Sequence, residues 1–357
     1  MEQNKKELFR KLCSFKKALP NEMDLEAATP EVLGQLFFNR MHAVAYGTLK
    51  NNGLLGKVNR EFRNSLKGAY ELNTAKNMSF FGCVAYVDKV LSRCTCKYAM
   101  LKGAYLCRLY PEGYRTANDI DLLVLPRDVT EVGVALSEAG FVQGYIRNGE
   151  FELATRKEII ESKMMRGETV PYIKEVNLPG MRFLEVDINF SLDYKPGDTK
   201  LLEELIENTS VRVINGLQLH TLREDDFFVH LCAHLYKEAT TLPWVEMHRD
   251  MTLYKYCDIY MLLSDMNENE IDCIFTRARA LDMEKVCAFA IKQMSEMFDF
   301  QNKYAIEVAE KILEPEPDFI HTVISPKSKK EYRYVEKDIS ERLFSDNRIK
   351  LLKEVEK

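Results

Sequence analysis

Apolar positions recur at helical spacing through the first part of the chain. The segment 30–38 shows this spacing behind Thr29, a predicted N-cap, and has a proline in its first turn. Residues 58–90 also favour helix, with a break predicted near Phe81 and Gly82, because glycine weakens a helix interior. We therefore predict a helical N-terminal region over residues 1–93.

Short apolar runs separated by turn residues replace the helical spacing after residue 93. They predict strands at 98–101, 119–125 and 141–146. A turn at 102–103 and helices at 104–110 and 127–139 are predicted between these strands. Residues 151–169 are charged and favour helix. Strands at 172–176 and 181–190 then flank a hairpin turn at Pro179 and Gly180. The second of these strands alternates, so that Glu185, Asp187 and Asn189 share its polar face.

Helical spacing returns from residue 222 and covers residues 225–239, 254–263 and 267–313. Pro315 and Pro317 end it, and the tail beyond them is highly charged, as mobile segments often are. The whole pattern predicts an α+β protein. We expect an N-terminal helical region at 1–93, a sheet-containing core at 94–215 and a C-terminal helical domain at 216–357.

Composition indicates an ordinary globular protein that is long enough for two cores, with 357 residues, 46% hydrophobic and 29% charged. The net charge of -5 argues against broad nucleic-acid binding, which needs clustered lysine and arginine, although a local basic groove stays open. The N-terminus is polar and no stretch approaches ~18 consecutive apolar residues, so we expect a cytoplasmic protein without a membrane segment.

The nine cysteines are odd in number and most lie in apolar stretches, which favours reduced, buried thiols. Cys94 and Cys96 have the spacing of half a zinc site, but no second cysteine pair completes it. His230 and His234 are four residues apart on one predicted helix face, a spacing that can bind zinc. The sequence shows no third ligand, so a buried pair is the favoured interpretation, and contact with an acceptor or a base stays open.

Three aspartates on predicted strands form the candidate site. Asp119 and Asp121 are two residues apart, so both point to one face, where a divalent cation would relieve their repulsion. Asp187 is the expected third ligand if its strand lies beside theirs, with Glu185 as its rival on the same face. Three such carboxylates can hold two magnesium ions roughly 4 Å apart. Polar strand faces also carry such aspartate pairs without a function. The residues around this pair favour the functional interpretation.

A Lys-Gly turn precedes the carboxylate strand and suggests phosphate binding. Gly103 would let the backbone approach a triphosphate, and Lys102 would pair with phosphate oxygens as a point charge. Arg115 lies just before the same strand and could reach the same phosphates, or could lie on the surface. A simple turn is the alternative for the Lys-Gly pair.

These residues resemble those of the uncharacterised nucleotidyltransferase family, within the DNA polymerase beta-like superfamily. The resemblance rests on the Lys-Gly turn at 101–104, the Arg-to-Val run at 115–124, the third acid at Asp187 and helices at 222–235 and 258–263, with Asn189 where histidine is common. It implies a mixed β-sheet core of nucleotidyltransferase type, two-metal catalysis with Mg²⁺ or Mn²⁺, and binding of ATP or another NTP.

The implied reaction transfers a nucleoside monophosphate from an NTP to an acceptor and releases pyrophosphate. The acceptor is expected to be a small molecule or a protein, because the acidic chain disfavours nucleic acid. The alternative hypothesis is a non-catalytic, nucleotide-binding or antitoxin-like regulatory partner on the same fold. A third interpretation, a helical scaffold with incidental acids, requires that the two aspartate strands do not adjoin.

Overall fold

Helices occupy both ends of the chain and strands its middle, in a computed structural model that describes residues 1–14, 16, 24–214 and 216–355. The α-helices are α1 (Gln3–Cys13), α2 (Pro30–Phe38), α3 (His42–Asn51), α4 (Arg60–Leu91), α5 (Gly103–Leu106), α6 (Val129–Glu138), α7 (Arg156–Arg166), α8 (Thr199–Glu207), α9 (Glu224–Ala239), α10 (Leu242–Glu246), α11 (Leu253–Leu263), α12 (Glu268–Ala280), α13 (Glu284–Met297), α14 (Lys303–Leu313) and α15 (Ile339–Leu343). The strands are β1 (Tyr98–Met100), β2 (Asp119–Val124), β3 (Val142–Arg147), β4 (Glu150–Leu153), β5 (Tyr172–Leu178), β6 (Met181–Asn189), β7 (Ser210–Ile214), β8 (Leu217–Thr221), β9 (Thr322–Ile324), β10 (Glu331–Tyr334) and β11 (Leu352–Glu354). This composition confirms the α+β class.

The chain forms two compact units, which we describe separately. The first contains Met1–Tyr70 and Leu231–Lys357, and the second contains Glu71–His230. The three-part division at residues 93 and 215 stays a prediction. No helix of the described residues is both long enough and apolar enough to cross a lipid bilayer.

A mixed six-stranded sheet organises the second unit, with the order β1-β2-β6-β5-β3-β4. Only the β2–β6 pair is parallel within this sheet; its other pairs are antiparallel. The central position of β2 and β6 follows from their sequences. Leu122, Leu123 and Val124 are fully buried in β2, and the apolar face of β6 is buried through Leu184, Val186 and Ile188.

The predicted hairpin at Pro179 and Gly180 joins β5 to β6, where Leu178 pairs with Met181. Gly180 has a φ of +70°, and an added Cβ would lie 2.9 Å from the Cβ of Lys76 on α4. Both the backbone conformation and the close approach require glycine at this position. The hairpin thereby fixes the register of β6 and hence the positions of its polar residues.

Three local predictions were wrong. Helix α4 runs without a break through Gly82, because its flanking residues Phe80, Cys83, Val84 and Val87 are buried and outweigh the modest cost of one glycine. The segment 151–169 is not all helix: β4 covers its start and pairs with β3, while α7 begins at Arg156 behind a capping box. The charged tail is ordered as β9, β10 and β11, which form a three-stranded sheet.

The first unit is mainly helical and has a polar cluster in its interior. Arg348 donates to an Asp250 carboxylate oxygen from Nε at 3.0 Å, and the Tyr334 hydroxyl donates to the other oxygen at 3.3 Å. Arg348 and Asp250 are each 1% exposed. Such a pair is stable only when both partners are present, because either charge alone would be buried without compensation.

Candidate active site

The structure brings the three predicted aspartates together on adjacent parallel strands. Asp121 on β2 lies beside Asp187 on β6, and Asp119 lies beside Glu185. Each aspartate offers a carboxylate oxygen that lies within 4.8 Å of an oxygen of the other two. The interpretation as a scaffold with separated acid strands is therefore wrong, since it required that these strands do not adjoin.

Burial and mutual repulsion govern the titration of these acids. Burial, and then the charge of Asp121, raise the pKa of Asp119, although Lys102 and Arg115 oppose the shift. Burial, Asp121 and Glu185 raise the pKa of Asp187 well above its usual range. Burial and the two aspartates of β2 raise the pKa of Glu185 to about 7. The cluster thus carries more negative charge than its surroundings neutralise.

The Lys102 ammonium places a positive charge in contact with this cluster. Its Nζ donates to Asp121 Oδ1 at 2.8 Å, and Asp121 is 3% exposed. Burial alone would lower the pKa of Lys102, but Asp121, Asp119 and Asp187 outweigh it and hold the pKa above its usual range. The ammonium therefore stays charged and supplies part of the neutralisation that the carboxylates need.

Lys102 also has an unusual backbone conformation, with φ 39° and ψ −108° at the N-cap of α5. A non-glycine residue with positive φ carries strain on the order of 1–3 kcal/mol, and such strain concentrates at functional sites. The Lys102 carbonyl accepts the amides of Tyr105 and Leu106, at 3.1 and 2.7 Å, which holds the turn in this shape. This strain could not be read from the sequence, which suggested glycine as the special residue of the turn.

Gly103 and Arg115 lie close to the aspartates but are buried. A Cβ at Gly103 would meet Ala117, Phe80 and the Asp119 carbonyl oxygen at 3.4–3.5 Å, so the turn packs tightly on the start of β2. Arg115 is 8% exposed, and its Nη1 lies 3.8 Å from the Cys107 sulfur and 3.4 Å from the Thr116 carbonyl oxygen. The assignment of these two residues to nucleotide binding stays a prediction.

Helix α4 contributes positioning residues that the sequence did not reveal. The side-chain amides of Asn73 and Asn77 donate to the carbonyls of Gly113 and Arg115, at 2.6 and 2.9 Å. Both asparagines are buried, at 5% and 7% exposure. They fix the loop that leads into Asp119. Two asparagines four residues apart on an apolar helix face are the pattern that would have indicated them.

The two histidines do not form a metal site with any other ligand among the described residues. His230 is 6% exposed, and His234 Nε2 lies 3.5 Å from Glu238 Oε1 within the first unit.

A cavity of about 340 Å³ in the second unit also lies apart from the predicted site residues. It is lined by residues 126, 163–164, 166–167, 190–192, 195–199 and 202, none of which was predicted for the site.

The mixed sheet with a convergent set of aspartates is the arrangement that the resemblance to nucleotidyltransferases implied. The chain belongs to the uncharacterised nucleotidyltransferase family, whose model matches residues 26–299. The predicted resemblance is thereby confirmed, and the match extends beyond residues 98–265, where the sequence showed it. Membership supports a general nucleotidyltransferase function.

A solved structure with a related description is similar to part of the chain. It is an antigenic nucleotidyltransferase-like protein from Paracoccidioides brasiliensis, with 14% identity, a TM-score of 0.31, and coverage of 61% of this chain and 92% of that one. No curated protein matches this chain at a significant level.

Proposed function

We propose that this protein transfers a nucleoside monophosphate from an NTP to an acceptor hydroxyl, with Mg²⁺ or Mn²⁺ as cofactor. The observation that carries the proposal is the convergence of Asp119, Asp121 and Asp187 at one point of a buried sheet. In the proposed reaction the acceptor oxygen forms a bond to the α-phosphorus. The bond from that phosphorus to the α–β bridging oxygen breaks, and pyrophosphate leaves.

The residues fit divalent cations on three grounds. The ligands are hard oxygens, which magnesium and manganese prefer. The oxygens lie within 4.8 Å of one another, close enough to share cations. Burial, and then mutual repulsion, raise the pKa of Asp119 and of Asp187, and bound cations would offset both effects. Bound ions would neutralise phosphate charge and lower the pKa of the attacking hydroxyl.

The protein's own groups position the reactants in this proposal. Lys102 offers a half-buried ammonium beside the carboxylates, which suits contact with phosphate oxygens. Asp187 serves as the third ligand and as the candidate acceptor of the hydroxyl proton. Asn73 and Asn77 hold the loop before Asp119, so they act through that aspartate and not on the substrate. Most of the rate enhancement would come from positioning and from charge complementarity.

The test is calorimetric titration of each Mg-NTP, beginning with ATP and CTP, together with an assay of pyrophosphate release. We expect wild-type protein to bind at least one nucleotide in a metal-dependent manner, and Asp121→Asn to lose this effect. Glu185→Gln is the matched control, since Glu185 shares the strand face but lies outside the three-aspartate group. Absence of any metal-dependent nucleotide effect in folded wild type would refute the proposal.

The same assay distinguishes catalysis from regulation. Pyrophosphate release that is lost in Asp121→Asn supports transfer. Metal-dependent binding without turnover of any NTP, with candidate small-molecule and protein acceptors supplied, would instead favour the non-catalytic, regulatory alternative.

A further inference from the structure

A second group of potential metal ligands includes two cysteines that come just before β1 in the sequence. The Lys-Gly turn comes just after β1. Cys94 and Cys96 follow the end of α4, and Glu131 lies in the first turn of α6. Their two sulfurs and one carboxylate oxygen all lie within 4.8 Å of one another. All three side chains are half-buried, so a small ion can reach them from solvent.

Hydrogen bonds hold this group in place. The Thr95 amide donates to Glu131 Oε1 at 2.5 Å, and the Thr95 hydroxyl donates to the same oxygen at 3.1 Å. These bonds fasten the Cys-x-Cys turn to α6 and orient the carboxylate towards the thiols. Ligands that are held before an ion arrives bind it with less loss of conformational entropy.

No positive charge is paired with Glu131 in the described part of the chain. Glu131 forms no ion pair among the residues that the structure describes, and Lys97 nearby pairs with Glu207. Two thiols and an acid without a neutralising partner are a favourable environment for a cation.

We propose that Cys94, Cys96 and Glu131 bind a thiophilic divalent cation, with Zn²⁺ as the expected ion. Sulfur ligands select zinc over magnesium, and zinc accepts two thiolates, one carboxylate and a water in a tetrahedral arrangement. The site shares no residue with the three-aspartate cluster, so it does not depend on the proposed transferase activity. Because β1 leads directly to Lys102, a bound ion would also anchor the strand that positions the Lys-Gly turn.

The test is titration of reduced, metal-free protein with Co²⁺, followed by absorption spectroscopy. Cobalt reports thiolate ligation through a sulfur-to-metal charge-transfer band, which oxygen ligands do not produce. We expect one Co²⁺ per chain with this band, displaced by Zn²⁺. Cys94→Ser combined with Cys96→Ser should abolish the band, whereas Glu131→Gln should retain it and weaken affinity by roughly tenfold or more.

Two controls separate this site from others. Cys273→Ser removes an exposed cysteine of α12 and should leave the band unchanged. Asp187→Asn alters the three-aspartate cluster and should also leave it unchanged, so failure of one proposal is not failure of the other. Circular dichroism checks that each variant is folded, and if the double variant does not fold, the affinity of Glu131→Gln decides.

Thermal unfolding provides a second measurement. Zn²⁺ should raise the unfolding temperature of wild type and have little effect on Glu131→Gln at the same concentration, because an ion that binds only the folded state stabilises it. The proposal is overturned if folded, reduced wild type shows no charge-transfer band. It is equally overturned if the band persists when both cysteines are replaced, since other thiols of the chain would then bind the cobalt.

Discussion

Replacement of Asp187 by asparagine should stabilise the metal-free protein and remove its response to magnesium. Asparagine has nearly the same shape as a protonated aspartate but never carries a negative charge. Asp187 lies beside Asp121 in the β2–β6 pair and within 4.8 Å of both other aspartates by its nearest oxygen. The substitution therefore removes repulsion without opening a cavity.

The size of the effect follows from the separation of the charges. Two unit charges 4.8 Å apart repel by about 3.5 kcal/mol at an effective dielectric constant of roughly 20. Asp187 faces two such neighbours, but Lys102 offsets part of the repulsion and partial protonation relieves more. A net gain of about 2 kcal/mol is expected, which corresponds to an increase of roughly 4–8 °C in Tm for a domain of this size.

The effect should depend on pH in a defined direction. The pKa of Asp187 is raised in the folded state, so folding disfavours its charged form. Wild-type stability is therefore lost as pH rises above the unfolded value of about 3.9, and the loss is complete above the folded pKa. Asp187→Asn does not show this pH-dependent loss of stability. Its stability advantage over wild type, measured with a chelator present, should therefore be largest near pH 8 and small near pH 4.

The assay is thermal unfolding of both proteins in EDTA and in saturating Mg²⁺. Wild type should gain about 2.7 kcal/mol when Mg²⁺ is present at 100 times its Kd, and the variant should gain almost nothing. Asp346→Asn, at an exposed aspartate, is the control and should change neither value. The prediction is wrong if Asp187→Asn is less stable than wild type in EDTA at pH 8, or if the variant gains as much stability from Mg²⁺ as wild type does.

Three further predictions concern stability and are measured by denaturant or thermal unfolding. Asp250→Ala should cost about 3–5 kcal/mol, because it leaves Arg348 as a buried, unpaired charge. Burial and Arg342 lower the pKa of His321 to about 4, so stability should fall as pH drops from about 6.5 to 4, by at most about 3 kcal/mol. Gly167→Ala should cost more than about 2 kcal/mol, since φ is +68° and the new Cβ would lie 2.3 Å from the Ser191 Cβ.

Each of these predictions has a matched comparison. For Asp250→Ala, a loss below about 1 kcal/mol would show that other groups compensate the buried charge of Arg348 once Asp250 is removed. For His321, the His321→Gln variant should lack the loss below pH 6.5, and an unchanged pH profile would contradict the assignment. For Gly167, the control is Gly197→Ala, where φ is +82° but no atom lies within 4 Å of the new Cβ. Equal costs at the two glycines would contradict the role of the contact.

The strands that carry the aspartates were predictable because their patterns are strict. Asp119 and Asp121 share a face by the two-residue period, and the alternation of β6 placed Asp187 on its polar side. The hairpin at Gly180 was equally clear, since a Pro-Gly pair between two apolar runs marks a turn. The adjacency of β2 and β6 could only be assumed from the sequence, because it depends on a parallel pairing of residues more than sixty positions apart.

The remaining features depend on tertiary contacts that no local pattern contains. Strand β4 has only four residues, and its Glu-Phe-Glu-Leu sequence shows little of the apolar enrichment that marks strands. Lys102 has a positive φ in a turn where its carbonyl accepts two amides and its ammonium donates to Asp121. The carboxylate of Glu131 meets Cys94 and Cys96 only because the first turn of α6 lies beside the Cys-x-Cys turn, which is why the cysteine pair lacked a partner in the sequence.

In the proposed function, three aspartates from two strands together bind divalent cations. The most direct measurement is Mn²⁺ binding, followed by electron paramagnetic resonance of the free ion during titration, with and without a non-hydrolysable ATP analogue. We predict that wild type binds Mn²⁺, that the analogue strengthens binding, and that Asp121→Asn weakens it by more than about tenfold. Folded wild type that binds no Mn²⁺, or an Asp121→Asn variant that binds it equally well, would contradict this claim.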